Sequence, residues 1–250
     1  MNDTDQHTQD LSPRQVNLLK CIISEYTKTG EPVASEVIDK KYHLGVSPAT
    51  IRNEMVELAD TGFLMKEHSS SGRVPTAKAF RFYIQNLMSE KALTTAEEVS
   101  VKNDVWDYRK ELHSLLQHAT QNLAKRSKML AVATTNKGDL YYFGVGNLLC
   151  QPEFFGMEEN MDLFSKFEEF SFWQSLLDKF RVLEEEILFM FAEESQEKSY
   201  FVSVFGDFNS QDIHGSIGVI GPRRMQYEVI VPQIRYFTNL IEDIITQNQN

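Results

Sequence analysis

The sequence predicts an α+β protein of two domains. A small helical domain ending in a β-hairpin precedes a larger domain built on a mainly antiparallel sheet. Three observations carry this reading. Ser-Pro pairs at 12–13 and 47–48 open two helical patterns, and a turn-rich hairpin follows the second. From residue 129 on, short apolar runs bounded by Gly, Asn and Pro read as strands. Apolar residues at helical spacing close the chain. With 250 residues, of which 42% are hydrophobic, there is enough apolar surface for two cores.

In order, residues 1–10 (MNDTDQHTQD) are polar and acidic. They lack the basic and apolar regions of a signal peptide and are read as a disordered leader. Ser12 caps a helix, with Pro13 at its first position and Gln15 placed for a capping box. Val16, Leu19, Ile22, Ile23 and Tyr26 form its stripe, and Gly30 stops it. A short helix is expected from Ser35 to Tyr42. Ser47 then caps a third, with Pro48 at the first position. Ile51, Met55 and Leu58 line its buried side, while Ala49, Arg52 and Asn53 project away. Gly62 ends it. Phe63–Met65 and Arg73–Pro75 read as hairpin strands around Ser69-Ser70-Ser71-Gly72, where Gly72 is expected to need a positive φ. Thr76 caps a helix with Phe80, Tyr83, Ile84 and Leu87 on its apolar face. Three helices and a hairpin in this order match a winged helix-turn-helix, a fold that places a helix in the DNA major groove. The expected boundaries are 11–90 for this domain, 91–103 for a linker and start of helix, and 104–250 for the second domain.

Val105, Tyr108, Leu112, Leu115 and Ala119 follow a heptad rhythm. It fits either a single helix lying on a sheet or a helix pairing with its copy. Strands are expected at 129–135, from Leu140, at 187–192, at 200–205 and at 216–220. A helix is expected from Pro152 to about Phe180, and another over 224–247, kinked at Pro232.

The net charge of −11 argues against a nucleic-acid binder, but it is unevenly shared. Residues 11–90 carry ten Lys/Arg against nine Asp/Glu, and residues 91–250 carry fifteen against twenty-four. Cys21 and Cys150 both sit in apolar stretches and are read as buried, reduced thiols of a cytoplasmic protein. No Cys/His cluster has metal-ligand spacing, so no metal or cofactor is expected. No apolar run reaches membrane-span length. No nucleophile elbow or phosphate loop is present, so the sequence does not read as an enzyme.

Residues 29–87 include TGEPVASEVI, LGVSPATIRNEMVELADTGFL, HSSSGRVPT and FRFYIQNL. This block resembles the heat-inducible transcription repressors of bacteria, the HrcA family. GVGNLLCQPEFF (144–155) and GSIGVIGPRRMQY (215–227) extend the resemblance. It implies a homodimeric repressor bound to an inverted-repeat operator in double-stranded DNA, a GAF-like dimerisation domain, and control by a GroEL-type chaperonin. The chain is shorter than the family's usual form, and an inserted lobe is expected to be absent. Pro48, Glu67 and Ala79 replace residues that the family usually makes small, Pro and Gly, respectively.

The candidate DNA-binding residues are Ser47, Ala49, Thr50, Arg52, Asn53, His68, Ser69, Ser71, Arg73 and Lys78. Arg52 and Asn53 can form bidentate bonds to guanine or adenine edges. Ser47 and Thr50 can hold phosphates at the helix N-terminus. His68, Ser69, Ser71 and Arg73 would lie on the backbone or in the minor groove, with Lys66 and Lys78 flanking them. Two other readings stand beside this one, the first with the same DNA-binding end and the second without DNA binding. One is a regulator controlled by a small ligand in the second domain, and the other is a winged helix used for protein contacts.

Overall fold

The computed structural model describes residues 11–66, 72–108, 111–154, 165, 169, 171, 173–175, 178, 186–191, 201–210 and 213–248. The leader at 1–10 and most of the helix expected after Pro152 lie outside the described residues. The chain forms two compact units, Met1–Met88 and Ser89–Asn250. Together they give an α+β protein with a mainly antiparallel sheet.

In the first unit, α1 (Pro13–Thr29) opens on the expected capping box. The Ser12 hydroxyl accepts from the Gln15 amide, and the Gln15 side chain accepts from the Ser12 amide. Leu18, Leu19, Ile22 and Ile23 are buried along it. Glu25 is also buried, and its carboxylate is paired with Lys41 and accepts from the Tyr42 hydroxyl at 3.3 Å. That pairing satisfies a charge that burial would otherwise penalise by several kcal/mol. Lys41 and Tyr42 end α2 (Ser35–Tyr42).

Helix α3 (Pro48–Asp60) begins at Ser47, whose hydroxyl accepts from the Thr50 amide. Ile51, Met55 and Leu58 are buried as expected. Gly62 follows at φ 78°, which turns the chain into β1 (Leu64–Met65). Strand β1 pairs antiparallel with β2 (Val74–Pro75). Arg73 forms a further antiparallel bridge with Val33, amide to carbonyl in both directions at 2.9 Å. Gly72 is therefore needed for a different reason from the one expected. Its φ is not positive; instead, a Cβ there would come within 2.3 Å of the Val33 carbonyl oxygen. The Thr76 hydroxyl donates to the Gly62 carbonyl at 2.7 Å and accepts from the Ala79 amide, starting α4 (Ala77–Asn86). Phe80 is fully buried there, whereas Tyr83, Ile84 and Leu87 are only half-buried.

In the second unit, α5 (Thr95–Trp106) begins within the 91–103 stretch read as a linker and start of helix. Its cap is Thr94, which shares a capping box with Glu97. The Thr94 amide and hydroxyl hold the Glu97 carboxyl below its usual range. Helix α6 (Leu112–Ser127) follows. The heptad rhythm from Val105 to Ala119 thus runs across two separate helices. Val105 belongs to α5, while Leu115 and Ala119 belong to α6, and all three are buried within the unit.

The sheet order is β4-β3-β7-β6-β5, and every neighbouring pair is antiparallel. The strands are β3 (Leu130–Thr135), β4 (Leu140–Phe143), β5 (Ile187–Phe191), β6 (Phe201–Ser210) and β7 (Ile213–Pro222). The last two are longer than expected, and Gly221-Pro222 lies within β7 rather than after it. Side chains alternate between the faces. Leu130, Val132, Leu188, Phe205 and Ile220 share one face with Trp173, Phe154 and Leu148, the last from α7 (Val145–Leu149). On the other face, Tyr141 donates to or accepts from His113 of α6 at 2.7 Å. A Cβ at Gly206 would meet Ile234 and Thr238 of α8 (Tyr227–Asn248) at 2.8 and 2.7 Å. Cys21 is buried, which pushes its thiol up, but Cys150 is exposed, contrary to expectation. Leu148 turns inward at the end of α7, and Cys150, two positions on, faces water.

Pro232 lies inside α8. It has no amide to give the Glu228 carbonyl four residues earlier. That carbonyl instead accepts from the Lys91 amide at 2.7 Å.

Three outcomes follow from this packing. Gly72→Ala should destabilise the first unit by about 1–3 kcal/mol in denaturant unfolding, since backbone must move. Gly146→Ala, whose Cβ would meet nothing within 4 Å, should be near neutral. Asp207 lies 3.5 Å from His214, yet burial pushes its carboxyl up, with His214 opposing and Glu242 adding. A raised folded-state pKa gives stability that is present at low pH and lost as pH rises through it. Asp207→Asn should therefore raise Tm at neutral pH, with the gain shrinking toward the usual carboxylate range.

Candidate nucleic-acid interface

Helix α3 is anchored from one side by α1. Arg14 pairs with Glu54 through Nε at 2.7 Å and through a second guanidinium nitrogen. Gln15 Nε2 donates to Glu57 at 2.8 Å. Glu54 is buried beside Met55, whereas its partner Arg14 is 57% exposed. The two acidic groups in the middle of α3 are thus held by α1. Arg14 offsets the charge of Glu54 toward an approaching anion, while Gln15 orients Glu57 without neutralising it.

The opposite side of α3 is free. Ala49, Arg52 and Asn53 are exposed, at i, i+3 and i+4. Among the described residues, Arg52 and Asn53 make no hydrogen bond or ion pair within the chain, so both keep their full donor capacity. Ser47 is exposed at the helix start, and its hydroxyl lies 3.0 Å from that of Thr50, which is half-buried. The structure therefore brings together five of the sequence candidates: Ser47, Ala49, Thr50, Arg52 and Asn53. They occupy the first two turns of one helix face.

The remaining candidates fall elsewhere. His68, Ser69 and Ser71 lie outside the described residues. Arg73 lies between Gly72 and β2. It is half-buried, its backbone is tied to Val33, and its Nε is buried without a partner. Lys78 sits at the far end of α3 from Ser47, roughly 20 Å along the helix axis. There its ammonium donates to the Thr61 carbonyl at 2.8 Å and lies 4.4 Å over the Phe63 ring. It thus serves as a C-terminal cap for α3.

Sequence reasoning left one residue out. Val56 is 41% exposed and continues the stripe at i+7 from Ala49. Helical spacing from Arg52 and Asn53 was the signal that could have found it. Among the described residues, no group of His, Cys, Asp or Glu is placed to hold a metal, and no helix is long and apolar enough to cross a membrane.

The class defined by these features is a two-unit α+β protein with an exposed, unpaired polar helix face on its smaller unit. Residues 50–231 match the family model described as HrcA protein C terminal domain. The chain belongs to the HrcA family. The heat-inducible transcription repressor HrcA of Chloroflexus aggregans is 39% identical over 133 residues, 53% of this chain and 35% of that protein. The protein of the same name from Clostridium perfringens strain 13 is 38% identical over 123 residues, 49% of this chain and 36% of that protein. The matched part thus spans about a third of each relative's length. A solved structure described as a hypothetical protein at 2.2 Å resolution superposes with a TM-score of 0.73 at 16% identity. It covers 95% of this chain and 99% of that one, a likeness of fold.

Stability measurements separate anchoring from the free face. Arg52→Ala should leave unfolding stability within about 0.5 kcal/mol of the parent, since it breaks no contact. Arg14→Ala leaves the buried Glu54 carboxylate unpaired and should cost about 2–3 kcal/mol. That is less than the 3–5 kcal/mol of a fully buried pair, because water screens the exposed partner.

Proposed function

We propose that this chain is a heat-inducible transcription repressor that binds an inverted-repeat operator in double-stranded DNA as a homodimer. In this reading residues 11–90 form a winged helix-turn-helix. The exposed face of α3 enters the major groove, and the hairpin of β1 and β2 acts as the wing. Residues 104–250 form the GAF-like domain that pairs two copies in the cytoplasm. The observation that carries the reading is the pair Arg52–Asn53, exposed and unpaired beside a helix N-terminus, with the neighbouring carboxylates held by α1. The names of the relatives supply the class of regulated process.

Each residue has a physical role. Arg52 and Asn53 offer paired donors, and for Asn also an acceptor, to base edges. Ser47, Thr50 and the free amides of the first turn suit a phosphate. One such face makes few base contacts. Two of them, held about one helical turn of DNA apart by a dimer, make the second contact nearly intramolecular. Loosening the second unit by heat would lower operator affinity without altering α3.

Equilibrium binding of the full chain to its inverted repeat tests the reading. Arg52→Ala should cost about 1–3 kcal/mol and relax preference at one base pair of each half-site. Lys78 is tied to Thr61, and its replacement should act alike on all sequences. Equal, sequence-blind losses for both variants would overturn the assignment of Arg52 to base reading.

A further inference from the structure

We infer that Val56 is a specificity-determining residue that packs on the 5-methyl group of a thymine in each half-site. The inference rests on the DNA-binding reading above and extends it to one side chain. Val56 is 41% exposed, and it lies in line with Ala49, Arg52 and Asn53 on the free face of α3. Among the described residues of the first unit, the large apolar side chains exposed to water are Val56 and Met65. They lie on α3 and β1, the two elements assigned to the DNA. Valine is not there for the helix itself, because its branched Cβ loses rotamer freedom in a helix. Nor is it there for the core, which Ile51, Met55 and Leu58 fill from the opposite side.

Geometry sets the partner. Val56 is one turn beyond Arg52, roughly 6 Å along the helix axis. Successive bases rise roughly 3.4 Å along the duplex. A helix lying along the groove therefore places Val56 about two base pairs from the pair that Arg52 reads. In the major groove, the thymine methyl is the apolar feature that side-chain carbons can recognise.

The test uses duplexes that the full chain selects from a random-sequence pool. Thymines of the selected site are replaced one at a time by deoxyuridine, which removes only the methyl group. For the parent chain, one position per half-site should weaken binding roughly fourfold, the transfer of one methyl-sized group from water. In Val56→Ala the same replacement should have no further effect, whereas Arg52→Ala should retain it. Val56→Thr, which keeps the shape, should keep part of the methyl dependence. If the parent selects no sequence, the DNA-binding reading fails and this inference fails with it. If selection requires Arg52 but no thymine methyl couples to Val56, this inference alone is overturned.

Discussion

The buried carboxylate of Glu54 constrains the first unit. It lies on the same side of α3 as Ile51, Met55 and Leu58, so it is carried into the interior with them. An unpaired carboxylate there would be strongly disfavoured, and Arg14 of α1 neutralises it. The pairing fixes the rotation of α3 about its own axis. A turn in either direction would expose Ile51 or Leu58 and break the bond to Arg14. Gln15, the next residue on α1, donates a neutral hydrogen bond to the exposed Glu57, which orients that carboxylate without neutralising it. The first turn of α1 therefore has two functions. It closes its own capping box at Ser12, and it sets which face of α3 meets water.

Local interactions were legible in the sequence. Ser12, Ser47 and Thr76 each announce a helix start, because the cap and the amide it accepts from lie three residues apart. The stripe of α3 was legible for the same reason, and so were Arg52 and Asn53 opposite it. Long-range contacts were not. Gly72 is required by the Val33 carbonyl, a neighbour made only by the bridge between Val33 and Arg73, so the sequence suggested a turn conformation instead. Lys78 reads as a free cation, yet the fold brings it to the end of α3 and ties it to Thr61. The rhythm from Val105 to Ala119 survives a break between two helices because each packs its own apolar side inward. Periodicity alone cannot show where one helix stops when no Gly or Pro marks the place.

The second unit shows how a lost local bond is replaced. Pro232 leaves the Glu228 carbonyl without its usual donor inside α8, and the Lys91 amide from the segment before α5 takes the position. A hydrogen bond missing from a continuous helix becomes a tie between the two ends of the unit. The same unit covers one sheet face with α6 and α8 and fills the other with Phe205, Trp173 and Phe154. Strands such as β3 are therefore buried along their whole length, which is why they read as continuous apolar runs rather than alternating ones.

The free face of α3 gains its meaning from the contrast with these satisfied groups. Arg14, Gln15, Lys41 and Lys78 all use their donors within the first unit. Arg52 and Asn53 do not. In water this costs little, since solvent fills the same positions. Against a base pair the situation changes, because the groove strips that water away. A matching edge restores the bonds, while a mismatched one leaves a buried donor unpaired at a cost of about 1–3 kcal/mol. In the proposed function, discrimination would therefore arise from donors that, among the described residues, have no partner on a helix otherwise anchored by α1. An intramolecular partner for Arg52 would stabilise the unit slightly and remove that capacity.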